Sequence, residues 1–129
     1  YMFQMPDDNA FEMLYDNLKA QETISFWSTS FIRGVTMDDC VIIVDEFSNL
    51  NFHELDSIIT RVGENCKIIF SGDYTQSDLV KNNEKNGVLD FMKIMQTMPS
   101  VDVVEFGIED IVRSGFVKEY LISKINLGF

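Results

Sequence analysis

The chain has 129 residues and a mass of 14.9 kDa, one domain's worth of sequence and enough to bury roughly 60% or more of the unfolded surface. Hydrophobic residues make up 46% and charged residues 24%, with a mean hydropathy of +0.00, the composition of a globular chain that is neither disordered nor embedded in a membrane. The 10 Lys and Arg against 21 Asp and Glu give a formal charge of −11, which argues against a surface built to grip phosphate backbones.

From the N-terminus, Tyr1 stands first and no basic segment precedes an apolar one. The sequence therefore predicts no secretory signal and reads as a fragment or a processed product. Uncharged runs fall short of a membrane span. Phe11, Leu14, Tyr15 and Leu18 repeat at helical spacing after Asp7 and Asp8, predicting an amphipathic helix over 8–20. Residues 23–31 are rich in β-branched, aromatic and hydroxyl side chains, predicting a strand near Ile24 to Trp27. Two continuous apolar runs follow, Cys40 to Val44 ending in Asp45 and Glu46, and Lys67 to Phe70 ending in Ser71, Gly72 and Asp73. Both read as strands buried on two faces. Between them Leu55, Ile58, Ile59 and Val62 predict a helix that Asn51 and Glu54 open as a capping box and Gly63 stops. Strand, helix, strand over about 30 residues is a βαβ unit. After a polar loop over 77–86, Val88, Phe91, Met92 and Met95 predict a helix ending at Pro99, then a strand from Val101 to Phe106. Beyond Gly107, a last helix carries Val117, Tyr120, Leu121 and Ile125 on one face. The expected architecture is a single α/β domain, a three-layer sandwich with a mostly parallel sheet.

Ligands of such a sheet bind beyond the carboxyl ends of its strands, where loops and helix N-termini converge. Two inferred strands deliver acids to that edge. As neighbours, or one strand apart, they hold their carboxylates within roughly 5 to 10 Å of each other. Like charges at that spacing call for a cation, and Mg²⁺ is the natural one, a hard ion that keeps several waters and shares a nucleotide phosphate. Four apolar residues followed by Asp45 and Glu46 match a Walker B segment, although a buried strand often ends in acids simply because the chain re-enters water. Gly72, Asp73, Tyr74, Thr75 and Gln76 after the second run strengthen the functional reading. They add a glycine for close backbone approach and an amide able to orient a water or sense a γ-phosphate.

Phe31 to Thr36 (FIRGVT), Val41 to Asn49 (VIIVDEFSN), Thr60 to Gly63, Ser71 to Leu79 (SGDYTQSDL), Gly87 to Leu89 and Glu109 to Arg113 together resemble the ATPase core of PhoH-like proteins. These are phosphate-starvation-associated P-loop NTPases of bacteria and their phages, and the resemblance runs from Phe31 to Ile125. It implies that Asp45 is the Walker B acid at Mg²⁺ and Glu46 the catalytic base. Asp73 and Gln76 become the sensor segment, similar to the GDxxQ motif of superfamily 1 helicases. Arg113 stands where related helicase-like ATPases place an arginine on the γ-phosphate, and Arg33 is a further family arginine that contacts nucleotide, nucleic acid or another subunit. The ligands implied are ATP and Mg²⁺, with RNA or DNA as a further partner, a homo-oligomer as the assembled form, no membrane, and the cytoplasm of a bacterium or phage-infected host as the compartment. Ser114 and Gly115 stand where the family usually has His-Pro, and no G-x-x-x-x-G-K-[ST] segment occurs in these residues. The expectation is therefore the C-terminal part of a Mg-dependent ATPase that is inactive without its phosphate loop. The alternative is an α/β interaction module that lost the reaction.

Elsewhere the plainer readings prevail. Cys40 and Cys66 each sit at the start of an apolar run, as small buried thiols do, and nothing in their spacing suggests a disulfide framework or a zinc site. Trp27 with Phe26 and Phe31 fits a core cluster more readily than a base-stacking platform. His53 reads as a solvent-facing helix residue, and Met92, Met95 and Met98 as core.

Overall fold

The computed structural model describes residues 8–32, 34–73 and 86–128. The chain falls into two compact units, one up to residue 33 and one from residue 34 onward.

In the first unit, helix α1 (Asp8–Ala20) forms where the spacing predicts it, with Lys19 in its last turn complementing the helix dipole. Its end is closed by the amides of Thr23 and Ile24, which both donate to the Leu18 carbonyl, at 2.9 and 3.3 Å. The strand expected near Ile24 to Trp27 does not form. Residues 25–28 have no regular structure and pair with no strand among the described residues, and Trp27 Nε1 spends its donor locally on Ser25 Oγ at 2.8 Å. Nor do the aromatic side chains make a core, since Phe26 is 71% and Trp27 55% exposed. A 3-10 turn, Thr29–Phe31, follows, with the Ser28 hydroxyl accepting from the Ser30 amide.

The second unit is built on a parallel pair, β1 (Val41–Val44) and β2 (Lys67–Phe70), in register from Val41 opposite Lys67 to Val44 opposite Phe70. Helix α2 (Phe52–Ile59) connects them, opened by the predicted capping box: Asn51 Oδ1 accepts from the Glu54 amide and Glu54 Oε2 from the Asn51 amide, both at 2.9 Å. The helix stops earlier than its apolar spacing suggests. Thr60 is the C-cap, its hydroxyl bonded back to the Asp56 carbonyl, and Val62 leaves the helix to form a parallel bridge with Met37. Helix α3 (Asn86–Thr97) packs against α2. A Cβ at Gly87 would lie 2.8 Å from Phe52 Cβ and 2.9 Å from Phe52 N, so this glycine sets how closely the start of α3 approaches that of α2.

Leu55 and Ile58 of α2, Val88, Phe91 and Met95 of α3, Val44 and Phe47 form the core of this unit. Ring contacts join Phe47 to Phe70 at 5.9 Å and Phe70 to Phe91 at 5.1 Å, both near edge-on. The α/β class and the parallel pairing are thus as the sequence predicts, and the described residues of this unit cover the strands on one face. Val41 (63% exposed), Ile43 (67%) and Ile69 (45%) alternate with the inner residues and face outward. The described residues therefore supply the sheet and one helical layer of the expected sandwich.

The predicted strand over 101–106 is also absent. Residues 101–107 pair with no strand among the described residues, with Val104 and Phe106 largely exposed. A 3-10 turn at Ile108–Asp110, closed by the Gly107 amide donating to Asp110 Oδ2 at 2.7 Å, leads toward helix α4 (Gly115–Asn126). The helix is where the sequence places it, but its apolar residues Val117, Tyr120 and Ile125 stay exposed. Met98 lies past the end of α3 and is exposed as well, unlike Met95. Among the described residues, no helix is long and apolar enough to cross a membrane.

Candidate functional site

Both strands leave the sheet at the same edge, and two backbone hydrogen bonds tie their exits together. The Ser71 amide donates to the Val44 carbonyl at 2.9 Å, and the Phe47 amide donates to the Ser71 carbonyl at 3.1 Å. The register places Asp45 level with Ser71, one step beyond the last paired residues. Asp45 turns its Oδ1 onto the Glu46 amide at 3.0 Å, and Glu46 adopts the left-handed conformation, φ 51° and ψ 40°. A residue with a Cβ rarely takes that backbone, and where it does the site is often functional. The left-handed step also ends the strand's alternation, so the two consecutive acids are freed from pointing to opposite faces of a pleat.

Phe47 holds this turn in place. It is buried at 4% exposure, begins the 3-10 turn Phe47–Asn49, and seats its ring against Phe70. Gly72 closes on the same ring: a Cβ there would be 3.0 Å from Phe47 Cδ1 and 3.2 Å from Phe47 N. The two acid-bearing exits are therefore packed backbone to backbone, which is the reason for a glycine in the Ser-Gly-Asp segment. The role of Phe47 is missing from the sequence reading. The available signal is a large apolar side chain directly after Asp-Glu, in a stretch that is otherwise polar.

Asp45, Glu46 and Asp73 are all exposed at this edge. Among the described residues, no three Asp, Glu, His or Cys side chains converge as a metal cage. The donor set fits Mg²⁺ all the same, because that ion is commonly held by one or two carboxylates, with water and phosphate oxygens completing its shell. Arg113 lies exposed between the 3-10 turn and α4, and makes no ion pair with Asp45 or Glu46. Arg33 and Gln76 lie outside the described residues. His53 is an exposed residue of α2, as expected.

At the other end of the strands, Cys40 and Cys66 meet. Their sulfurs are 3.6 Å apart and both side chains are half-buried. The spacing of 26 residues hides this contact, yet each cysteine directly precedes its strand and a parallel register sets them level. Burial, with the Cys66 thiol beside it, pushes the Cys40 thiol up from its ordinary range.

A βαβ unit whose parallel strands end together in an acidic, glycine-containing edge is compatible with a P-loop NTPase-like α/β protein. Comparison with known proteins narrows the class. The family model described as PhoH-like protein matches residues 4–124, and the chain belongs to that family. It is 35% identical to Protein PhoH of Escherichia coli strain K12 over 92 residues, covering 71% of this chain and 26% of that protein. It is 29% identical to a PhoH-like protein of Mycobacterium leprae over 106 residues, 82% of this chain and 30% of that one. Against a PhoH-like protein of Bacillus subtilis strain 168 it is 28% identical over 119 residues, 86% and 37%. The chain thus spans between about a quarter and just over a third of the length of these relatives.

Proposed function

We propose that these residues form the magnesium- and γ-phosphate-facing part of a PhoH-like ATPase that, with its phosphate loop present, hydrolyses the β–γ bond of ATP. The observation that carries the reading is the shared sheet edge, where the Asp45–Glu46 turn and the Ser71–Gly72–Asp73 exit are hydrogen-bonded to each other and locked over Phe47. In this reading Asp45 holds Mg²⁺ and Glu46 takes a proton from the attacking water. Asp73 and Gln76 sense the γ-phosphate, Arg113 offsets the charge that grows on it, and Arg33 contacts the nucleotide or a neighbour. The bound ion would neutralise phosphate charge. The Asp45–Glu46 turn, held by its contacts with Ser71 and Phe70, would present Glu46 as a proton acceptor at this edge.

Turnover of ATP in the complete protein, with and without Mg²⁺, tests the proposal beside the Asp45→Asn and Glu46→Gln variants. The expected result is Mg-dependent turnover, a loss of about a hundredfold or more in kcat for Glu46→Gln with nucleotide binding retained, and weaker Mg·ATP binding for Asp45→Asn. Unchanged turnover in both variants overturns the assignment. Folded wild-type protein that neither binds nor turns over ATP supports the interaction module instead. Coupling to RNA or DNA and a homo-oligomeric state belong to the same proposal. Filter binding across a salt series tests the first, and light scattering the second.

A further inference from the structure

The contact between Cys40 and Cys66 plays no part in the nucleotide edge, which lies at the opposite end of the same strands. Their sulfurs stand 3.6 Å apart. Cys40 and Cys66 occupy the positions immediately before the paired residues Val41 and Lys67, and the Lys67 amide donates to the Cys40 carbonyl at 3.1 Å, so the two backbones are already held as ladder neighbours. Adjacent strands run about 4.8 Å apart, within the Cα separation that a disulfide spans. The loops leading into the strands are tied together as well: Asp39 N donates to the Glu64 carbonyl at 2.9 Å, Glu64 N to Asp38 Oδ1 at 2.7 Å, and Asn65 Nδ2 to Asp39 Oδ1 at 2.8 Å. Cys66 Sγ is steadied by the Met37 carbonyl at 3.0 Å. Both thiols are half-buried, which leaves them within reach of a small reagent.

We infer that Cys40 and Cys66 are a dithiol pair that the fold holds ready for reversible disulfide formation by exchange with a low-molecular-weight disulfide of the glutathione class. One cysteine thiolate attacks a sulfur of oxidised glutathione, forming a mixed disulfide and expelling one glutathione thiolate. The second cysteine thiolate attacks the protein-side sulfur, closing the Cys40–Cys66 bond and expelling the second glutathione. The two protons from the cysteines end on the two glutathione thiols, so the protein is oxidised by two electrons and the glutathione disulfide reduced by two. Reduced glutathione in excess reverses both steps. The bond would staple β1 to β2 at their N-terminal ends and leave Asp45 and Ser71 untouched.

The test equilibrates the full chain with mixtures of oxidised and reduced glutathione at mildly alkaline pH, in native buffer and in urea, followed by acid quench, intact mass and peptide mapping. The expected native product is a monomer lighter by two hydrogens, with the peptides bearing Cys40 and Cys66 joined. Its exchange constant should exceed that in urea by on the order of a hundredfold, because a bond the fold favours must in turn favour the fold. Cys40→Ser and Cys66→Ser should each stop at a single mixed disulfide. Oxidation that halts at mixed disulfides in the folded wild-type chain, that yields only dimers, or that proceeds no more readily in native buffer than in urea overturns the inference. The wild-type comparison stands whether or not the serine variants fold.

Discussion

Replacing Phe47 by Ala tests how the acidic turn is held. The side chain is buried at 4% exposure, packs edge-on against Phe70 at 5.9 Å and lies under Gly72. A buried phenyl group removes on the order of 150 Å² of apolar surface from water, and at about 25 cal/mol per Å² that is about 4 kcal/mol. Measured Phe→Ala losses of about 3–5 kcal/mol bracket the figure, with the low end fitting a site near the sheet edge that can partly collapse. With a urea slope of about 1.5–2 kcal/mol per molar, a loss of 3 kcal/mol moves the unfolding midpoint down by about 1.5–2 M. Urea titration of the chain followed by far-UV circular dichroism reads this directly. Ile94→Ala, on the 49% exposed side of α3, is the control and should cost about 1 kcal/mol or less. A double-mutant cycle with Phe70→Leu should return about 0.5–1.5 kcal/mol of coupling. A Phe47→Ala midpoint shifted by no more than the Ile94→Ala midpoint would refute the docked turn as the support of the acids.

Gly87→Ala should reverse the usual sign of a helix substitution. Alanine ordinarily gains about 1 kcal/mol over glycine within a helix, but here the new methyl meets Phe52 Cβ at 2.8 Å and Phe52 N at 2.9 Å. The same urea assay should show a loss of about 1–3 kcal/mol, and a gain would show that α3 and α2 do not approach so closely. The Cys40 thiol supplies a pH prediction. Burial first, then the neighbouring Cys66, hold its folded value above the ordinary one. The folded chain keeps this proton where the unfolded chain has released it, so the thiol's stabilising contribution is complete below the unfolded thiol range and fades as pH rises through the raised native value. Alkylation of the Cys40 peptide by iodoacetamide against pH should therefore show a higher midpoint in native buffer than in urea, and coincident midpoints would contradict the prediction.

What could be read from the chain alone was whatever rests on local physics. The capping box at Asn51 and Glu54 fixes where α2 begins because both hydrogen bonds lie within four residues. The two β-branched runs with acids at their ends give the strands, their parallel sense and the shared edge, since a helix between two strands returns the chain in the same direction. Misplaced strands share one cause. Ile24 to Trp27 and Val101 to Phe106 have the composition of strands, but a strand is a pairing, and composition cannot provide the neighbour. In the first segment Trp27 Nε1 donates to Ser25 Oγ, and in the second no ladder is made among the described residues. That the described residues cover β1 and β2 on one face alone was hidden for a related reason. An unbroken apolar run marks residues suited to burial on two sides, while the number of layers that arrive depends on segments elsewhere. Of the candidate site, Asp45, Glu46 and Asp73 fall at one edge as their positions after the strands require, but the anchoring by Phe47 and Gly72 depends on contacts some 25 residues apart.

The outward row of Val41, Ile43 and Ile69 bears on how this chain behaves as a colloid. Among the described residues these side chains form an apolar strip, a sticky surface in water, and mutual repulsion between molecules that each carry −11 opposes contact between such strips in dilute buffer. That repulsion reaches about 10 Å at 0.1 M salt and about 3 Å at 1 M. Raising the ionic strength should therefore favour self-association through this strip, which the acidic surplus that discourages phosphate backbones opposes at low salt.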